Sequence, residues 1–343
     1  MRLRCWLGGL VAASLVASVA SAADKVNLGI PNAATDVGFF IADKKGYFRA
    51  EGIEVNFIPF DSAARMITPF ASGELDVGGG APSAALFNAV GRGIDIRIVS
   101  DKSKNVTGRG SQKLLVRKDL YDSGKVRSLA DLRGMKIAIS AAGTSASTVM
   151  DKFLEKAGLK PDDVTLVNLG FPQQIAALQN GAIDVASPAE PTVTEAIRVT
   201  GAVPIANDYD VYPRHQVAVV LYSGKFASER PEVARKFMRA FLRGVRDHND
   251  ALAPDGNFLP GPKGDEIVSI LAEYGSIKNP AVYRSFVIAY CDPNGELDLP
   301  SMKEDLGFFQ AQKLIEVPVT VEKVVDTSFL DWAVKELGPY KAK

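Results

Sequence analysis

Histidine and cysteine are nearly missing from this chain: its 343 residues hold two of each. His215, His248, Cys5 and Cys291 show none of the close spacings that a zinc site needs. Cys5 precedes an apolar N-terminal run and Cys291 stands alone after it, so no intrachain disulfide is expected in a processed chain. With no histidine near it in sequence, Cys291 reads as a structural thiol. Neither sign of charge is in excess, because Lys plus Arg and Asp plus Glu both number 40. That balance points to no nucleic acid and no acidic tail. A phosphate-binding loop is absent, and Gly78-Gly79-Gly80 lacks the dinucleotide spacing; it reads as a tight strand-to-helix turn. Gly143-Thr144-Ser145-Ala146-Ser147 lacks the second glycine of a nucleophile elbow. A secreted hydrolase with His215 as base for Ser145 is the main rival from another class, but nothing in the sequence brings that pair together. Catalytic residues, metal and cofactor are therefore all expected to be absent.

What is present begins at the N-terminus. Arg2 and Arg4 precede an uncharged apolar stretch over 7–20, followed by Ala20-Ser21-Ala22. Residues 1–23 read as a secretory signal with a small-x-small cleavage site, too short in its apolar part for a comfortable membrane span. No later segment is apolar enough to cross a bilayer. Removing the signal takes two arginines, leaving 38 cations against 40 anions. The remainder, about 320 residues, is long enough for a core that needs no disulfide. A periplasmic location is expected.

Beyond the signal, short β-type runs alternate with helical stretches. Strands are expected at 26–30, 53–60, 75–77 and 94–99, with helices ending near Gly46 and over 63–72 and 83–90. A second set follows, with strands at 135–139, 164–169 and 183–185 and helices ending at Gly158 and over 174–179 and 192–199. Ser72-Gly73-Glu74-Leu75-Asp76-Val77 returns as Asn180-Gly181-Ala182-Ile183-Asp184-Val185, an offset of 108 residues. Two copies of one unit predict two similar lobes, not a solenoid, which needs three or more short repeats. Strand segments at 113–116 and 216–222 read as two crossovers forming a hinge. The expected division is lobe 1 over 24–112, lobe 2 over 113–215, and a return to lobe 1 with a helical C-terminal segment over 216–343. That segment includes helices at 231–245 and 331–337.

The stretch Gly38-Phe39-Phe40-Ile41-Ala42-Asp43-Lys44-Lys45-Gly46-Tyr47-Phe48-Arg49-Ala50-Glu51-Gly52-Ile53-Glu54-Val55 resembles the opening of the periplasmic binding proteins for nitrate, sulfonates, taurine and thiamine-precursor pyrimidines. Further similarity lies in Gly73-Glu74-Leu75-Asp76-Val77, Leu114-Leu115-Val116 and Ser128-Leu129-Ala130-Asp131-Leu132-Arg133-Gly134-Met135-Lys136-Ile137-Ala138. Glu190-Pro191 sits where the family often has an aromatic, an acid and Pro; here Ala189 replaces the aromatic. The resemblance implies an α/β, two-lobed type II periplasmic binding protein, each lobe a mostly parallel sheet flanked by helices, with two hinge crossovers. It also implies a small-molecule ligand, the membrane permease of an ABC importer as partner, and a monomer. A sensor input built on the same lobes remains open.

Ligands of open α/β sheets sit beyond the C-terminal strand ends. The residues there are Asn32, Thr35, Asp36, Ser62, Gly80 and Ser83 in the first lobe. In the second they are Gly143, Thr144, Ser145, Phe171, Gln173, Ser187 and Glu190. Several open helices, whose free amides and partial positive charge suit an oxyanion. Each is also an ordinary cap, and only their recurrence in both lobes favours binding. Asp36 and Glu190 suit ligand N–H or hydroxyl groups. Arg65, Lys104, Arg109, Arg214 and His215 are cations that the sequence leaves unplaced. The expected ligand is a small organic anion such as a sulfonate or carboxylate, with a pyrimidine held by the two acids as alternative. Mass spectrometry of exported protein is expected to find Ala23 or Asp24 at its N-terminus; an intact Met1 would overturn the signal and the location.

Overall fold

A computed structural model describes residues 23–342; residues 1–22 of the expected signal over 1–23, with Cys5, lie outside them. Ten strands form two sheets of five. The first sheet holds β1 (Asp24–Ile30), β2 (Ile53–Pro59), β3 (Val77–Gly80), β4 (Ile96–Asn105) and β10 (His215–Ser223), in the order β2-β1-β3-β10-β4. The second holds β5 (Lys113–Val116), β6 (Lys136–Ile139), β7 (Thr165–Asn168), β8 (Val185–Ala186) and β9 (Val203–Asn207), in the order β7-β6-β8-β5-β9. The two orders superimpose strand for strand, which is the spatial form of the sequence repeat. Within each sheet the first three strands pair in parallel, and the fourth in the order runs against its neighbours on both sides. That reversed strand is the one that has just crossed from the other sheet: β5 going out, β10 returning.

The first sheet is covered on both faces. The helices Val37–Lys44, Pro231–Asp250 and Pro262–Tyr274 bury Phe39, Phe40, Phe237, Phe241 and Leu271 in one cluster. The helices Ala84–Gly91 and Leu299–Ala311 bury Leu86, Phe87, Met302 and Phe309 in another. Each such side chain contributes about 1.5–3 kcal/mol. The C-terminal segment thus packs against the first sheet.

Three elements differ from the sequence reading. Gly78-Gly79-Gly80 is not a turn but most of β3, with all four strand residues buried. The glycines are there for space: a Cβ on Gly79 would lie 2.6 Å from the Phe39 ring, and one on Gly80 2.5 Å from the Ala63 Cβ. The expected strand over 94–99 continues to Asn105, because Ser100, Asp101, Lys102 and Ser103 are polar yet buried against β10. The helix expected at 63–72 splits into a 3₁₀ turn, Ala63–Met66, and an α-helix, Ile67–Ser72. Pro69 then falls in the first turn of the new helix, where its missing N–H costs nothing.

Gly244 marks where Pro231–Asp250 crosses Val37–Lys44; a Cβ there would stand 2.1 Å from the Gly38 carbonyl oxygen. Backbone cannot swing aside as a side chain can. Gly244→Ala is expected to lower stability by about 1–3 kcal/mol. Gly307→Ala, in an exposed helix interior with open space around it, is expected to raise stability by up to about 1 kcal/mol. Chemical unfolding of both variants checks the pair.

Candidate functional site

The C-terminal strand ends of both sheets face one another across a cleft, and the lobes touch along it. Ala34 N–H donates to the Glu190 carbonyl at 2.8 Å, and Ala84 N–H to the Gly143 carbonyl at 2.8 Å. Ser83 and Thr144 form an antiparallel bridge between the lobes. Lys152 of the second lobe meets Glu304 of the C-terminal helix at 2.8 Å. The structure is a closed one.

Between the lobes lies an inner cavity of about 60 Å³. Its walls include Thr35, Ser62, Gly80 and Lys102 from the first lobe, and Ser140, Thr144, Ser145 and Phe171 from the second, with Ser111 and Gln112 from the outgoing crossing. Sharing Pro31, Asp61 and Phe171 with it is an outer mouth of about 700 Å³ that adds Asn32, Phe60 and Arg65. The volumes match a compact head group inside and a variable body toward solvent.

Of the residues expected from sequence, Thr35, Ser62, Gly80, Thr144, Ser145 and Phe171 line the inner cavity. Asn32 lines the mouth, at φ 55°. Ser83 caps its helix by accepting from Leu86 N–H at 3.2 Å. Gly143 takes φ 65° at the interlobe bridge, a conformation that suits glycine. Gln173 is exposed beside Gly170 and Asp61, and Ser187 is fully buried. Glu190 faces a separate rear cavity with Lys113 and Tyr209, and its carboxylate accepts from the N–H and hydroxyl of Thr194. Asp36 lies behind the inner cavity, accepts from Ala33 N–H at 2.9 Å, and contacts the Lys102 ammonium at 2.5 Å. Both acids are therefore engaged within the protein.

Lys102 is the residue that sequence reasoning missed. It is 1% exposed, sits in a polar run of β4, and lines the inner cavity. No charge motif surrounds it; the one available signal was the phrase Ser100-Asp101-Lys102-Ser103 following an apolar strand. Of the cations named from sequence, Arg65 lies at the mouth and the others go elsewhere. Lys104 pairs with Asp292, Arg214 with Asp298, and Arg109 donates to the Ile288 carbonyl. His215 Nε2 lies 3.1 Å from Asp305, while the Ser145 hydroxyl donates to the Val217 carbonyl at 3.2 Å, so the two do not form a nucleophile–base pair.

The cavity suits an oxyanion. An ammonium has three donors, and the Asp36 carboxylate occupies one side of this one. Thr144 precedes the helix Ser145–Lys156, whose first amides have no intrahelical carbonyl and carry the positive end of the helix dipole. Among the described residues no cluster of His, Cys, Asp or Glu is arranged to hold a metal. No helix there is long and apolar enough to cross a membrane.

Residues 34–250 match the NMT1/THI5-like family. The chain belongs to that family. A putative aliphatic sulfonates-binding protein of Bacillus subtilis is 25% identical over 324 residues, covering 91% of this chain and 89% of its own. The periplasmic nitrate-binding protein NrtA of Synechocystis has the same fold, with a TM-score of 0.75 at 13% identity, over 92% of this chain and 89% of that one. So does DSZB, a desulfurization enzyme solved with biphenyl-2-sulfinic acid, with a TM-score of 0.61 at 18% identity, over 91% of this chain and 99% of that one. The fold of this NMT1/THI5-like chain is thus shared by binding proteins and an enzyme.

Burial raises the Glu190 carboxyl to about 7, against its ordinary 4.5, with the Thr194 bonds opposing. Between those values the folded protein keeps a proton that the unfolded chain has released. Stability from this group is full below about pH 4.5 and lost as pH rises through about 7, a loss of about 3 kcal/mol. Asp101, raised to about 7 by burial, acts in the same direction. Glu190→Gln is expected to make the fall in unfolding free energy between pH 4.5 and 7 less steep; an unchanged slope would place that proton elsewhere.

Proposed function

We propose that this protein is the periplasmic solute-binding component of an ABC-type importer and that its solute is a small organic oxyanion, of the sulfonate or carboxylate kind. The observation that carries the reading is the buried Lys102, a residue that lines the inner cavity together with the hydroxyl-bearing Thr144 and Ser145 of the opposite lobe. Charge-assisted hydrogen bonds from an ammonium and amides outweigh neutral ones, and a low local dielectric strengthens them. Phe60, Phe171 and Arg65 at the mouth leave room for an organic body behind the charged head. The sulfonate-binding relative supports this choice. The protein acts without catalysis: Ser145 has no base, and Cys291 is sealed with its thiol raised to about 12. It works as a monomer whose lobes, 24–112 with 216–343 and 113–215, rotate about the two crossings, and a membrane permease reads the closed form.

The test begins with a thermal-shift panel of methanesulfonate, taurine, nitrate, acetate and a hydroxymethylpyrimidine. A ligand that binds only the native state raises the melting temperature, and small-angle scattering at saturation is expected to show a smaller radius of gyration. Lys102→Met is expected to cost about 10- to 100-fold in affinity for the best anion, as loss of a charged hydrogen bond does. A response to the pyrimidine alone, or wild-type affinity in Lys102→Met, would overturn the oxyanion reading.

A further inference from the structure

We propose that the floor of the cleft takes up one proton with each anion it binds, and that the carboxyl of Asp36 receives it. The inference rests on the oxyanion reading above and on charge counting around a buried pair. Asp36 is 0% exposed, and its contact with Lys102 joins two side chains that have no access to solvent. Before ligand arrives, the pair is neutral overall. An anion seated on the same ammonium leaves two negative charges around one positive charge, with little water to screen them. A sulfonate is the anion of a strong acid and does not itself take a proton near neutral pH. The proton then falls to Asp36, whose Oδ1 faces the ammonium and whose Oδ2 accepts from Ala33 N–H, so protonated Oδ1 leaves that cap intact.

The step balances simply. Protein, anion and a solvent proton combine; an O–H bond forms on Asp36 and no bond of the ligand breaks. Lys102 is thereby released from one anion to serve the other.

Other titratable groups around the pair are poorly placed to take the proton. From the C-terminal segment, the Cys291 thiol feels both charges but stays neutral, raised to about 12. Asp101, next to Lys102 on β4, is committed to Gln216 and the Asp292 amide. Arg109 is cationic and donates to Ile288. Across the cleft, Glu190 reaches the loop before Asp36 through its backbone carbonyl, while its carboxylate is turned to Thr194. Burial already drives the Asp36 carboxyl upward, with Lys102 opposing, so a ligand that competes for Lys102 pushes further the same way.

Titration calorimetry of the wild type with methanesulfonate, taurine and nitrate, in phosphate and in Tris, measures the proton count. The expected result is a binding heat that depends on buffer, equivalent to uptake of up to one proton, and affinity that weakens, by up to about tenfold per pH unit, as pH rises. For taurine the pH series stops below the titration of its amine. Asp36→Asn is expected to abolish the uptake, flatten the pH profile, and bind at high pH at least as tightly as the wild type does at low pH. Glu190→Gln is expected to retain the uptake. Buffer-independent heat in the wild type overturns the inference and leaves the oxyanion reading standing. Uptake that persists in Asp36→Asn, or that vanishes in Glu190→Gln, also overturns it. Failure of all three anions to bind overturns both readings together. Where Asp36→Asn does not fold by circular dichroism, the wild-type proton count and Glu190→Gln decide.

Discussion

An ammonium and a carboxylate shut away from water constrain much of this molecule. Moving either charge alone into such a place costs several kcal/mol, and their attraction offsets that only with good geometry. Lys102 and Asp36 meet at 2.5 Å. The geometry depends on two elements held in register: β4, which carries Lys102, and the helix start at Val37, which Asp36 precedes. β4 is fixed by its ladder to β10, and the helix start by the cap to Ala33. The cleft floor is therefore built by the return crossing as much as by the first lobe's own strands.

Space near that pair is made by the absence of side chains. Lys102 carbons would lie 3.1 Å from a Cβ on Gly79, and the Phe39 ring closer still. A strand of three glycines looks poor as a strand, since glycine weakens strand interiors and packs nothing. Here the neighbours supply the packing: Phe39, Phe70, Met66 and the Lys102 stem fill the volume. The helix pair at Gly38 and Gly244 repeats the device, with backbone against backbone. Both are close approaches bought with conformational entropy in the unfolded chain.

Much of the architecture was legible along the chain. Apolar runs with period two, glycines at helix ends and the repeated Ser72–Val77 phrase marked the strands, the helices and the duplication, because each is a local property of sequence. Reading β3 as a turn failed because its glycines answer to residues distant in the chain. Stopping the next strand at Val99 failed for a related reason: Ser100 to Ser103 are polar, and only pairing with β10 and bonds such as Gln216 to Asp101 make their burial affordable. Hydroxyls at strand ends, Thr35, Ser62, Thr144 and Ser145, could be named because topology puts strand ends at the cleft.

The sequence alone therefore determined the two α/β units, their order, the crossings and the loops that meet between them, since hydrophobic period and turn chemistry act over a few residues. Tertiary structure decided which groups in those loops are free. Asp36 and Glu190 looked available and are engaged, one by Lys102 and the other by Thr194. Lys102 looked like one more charge on a strand and is a buried residue in the cavity wall. The physical reason is that a charge's role depends on what lies within a few ångströms of it, and on how much water remains there. Both are set by segments far apart in the chain.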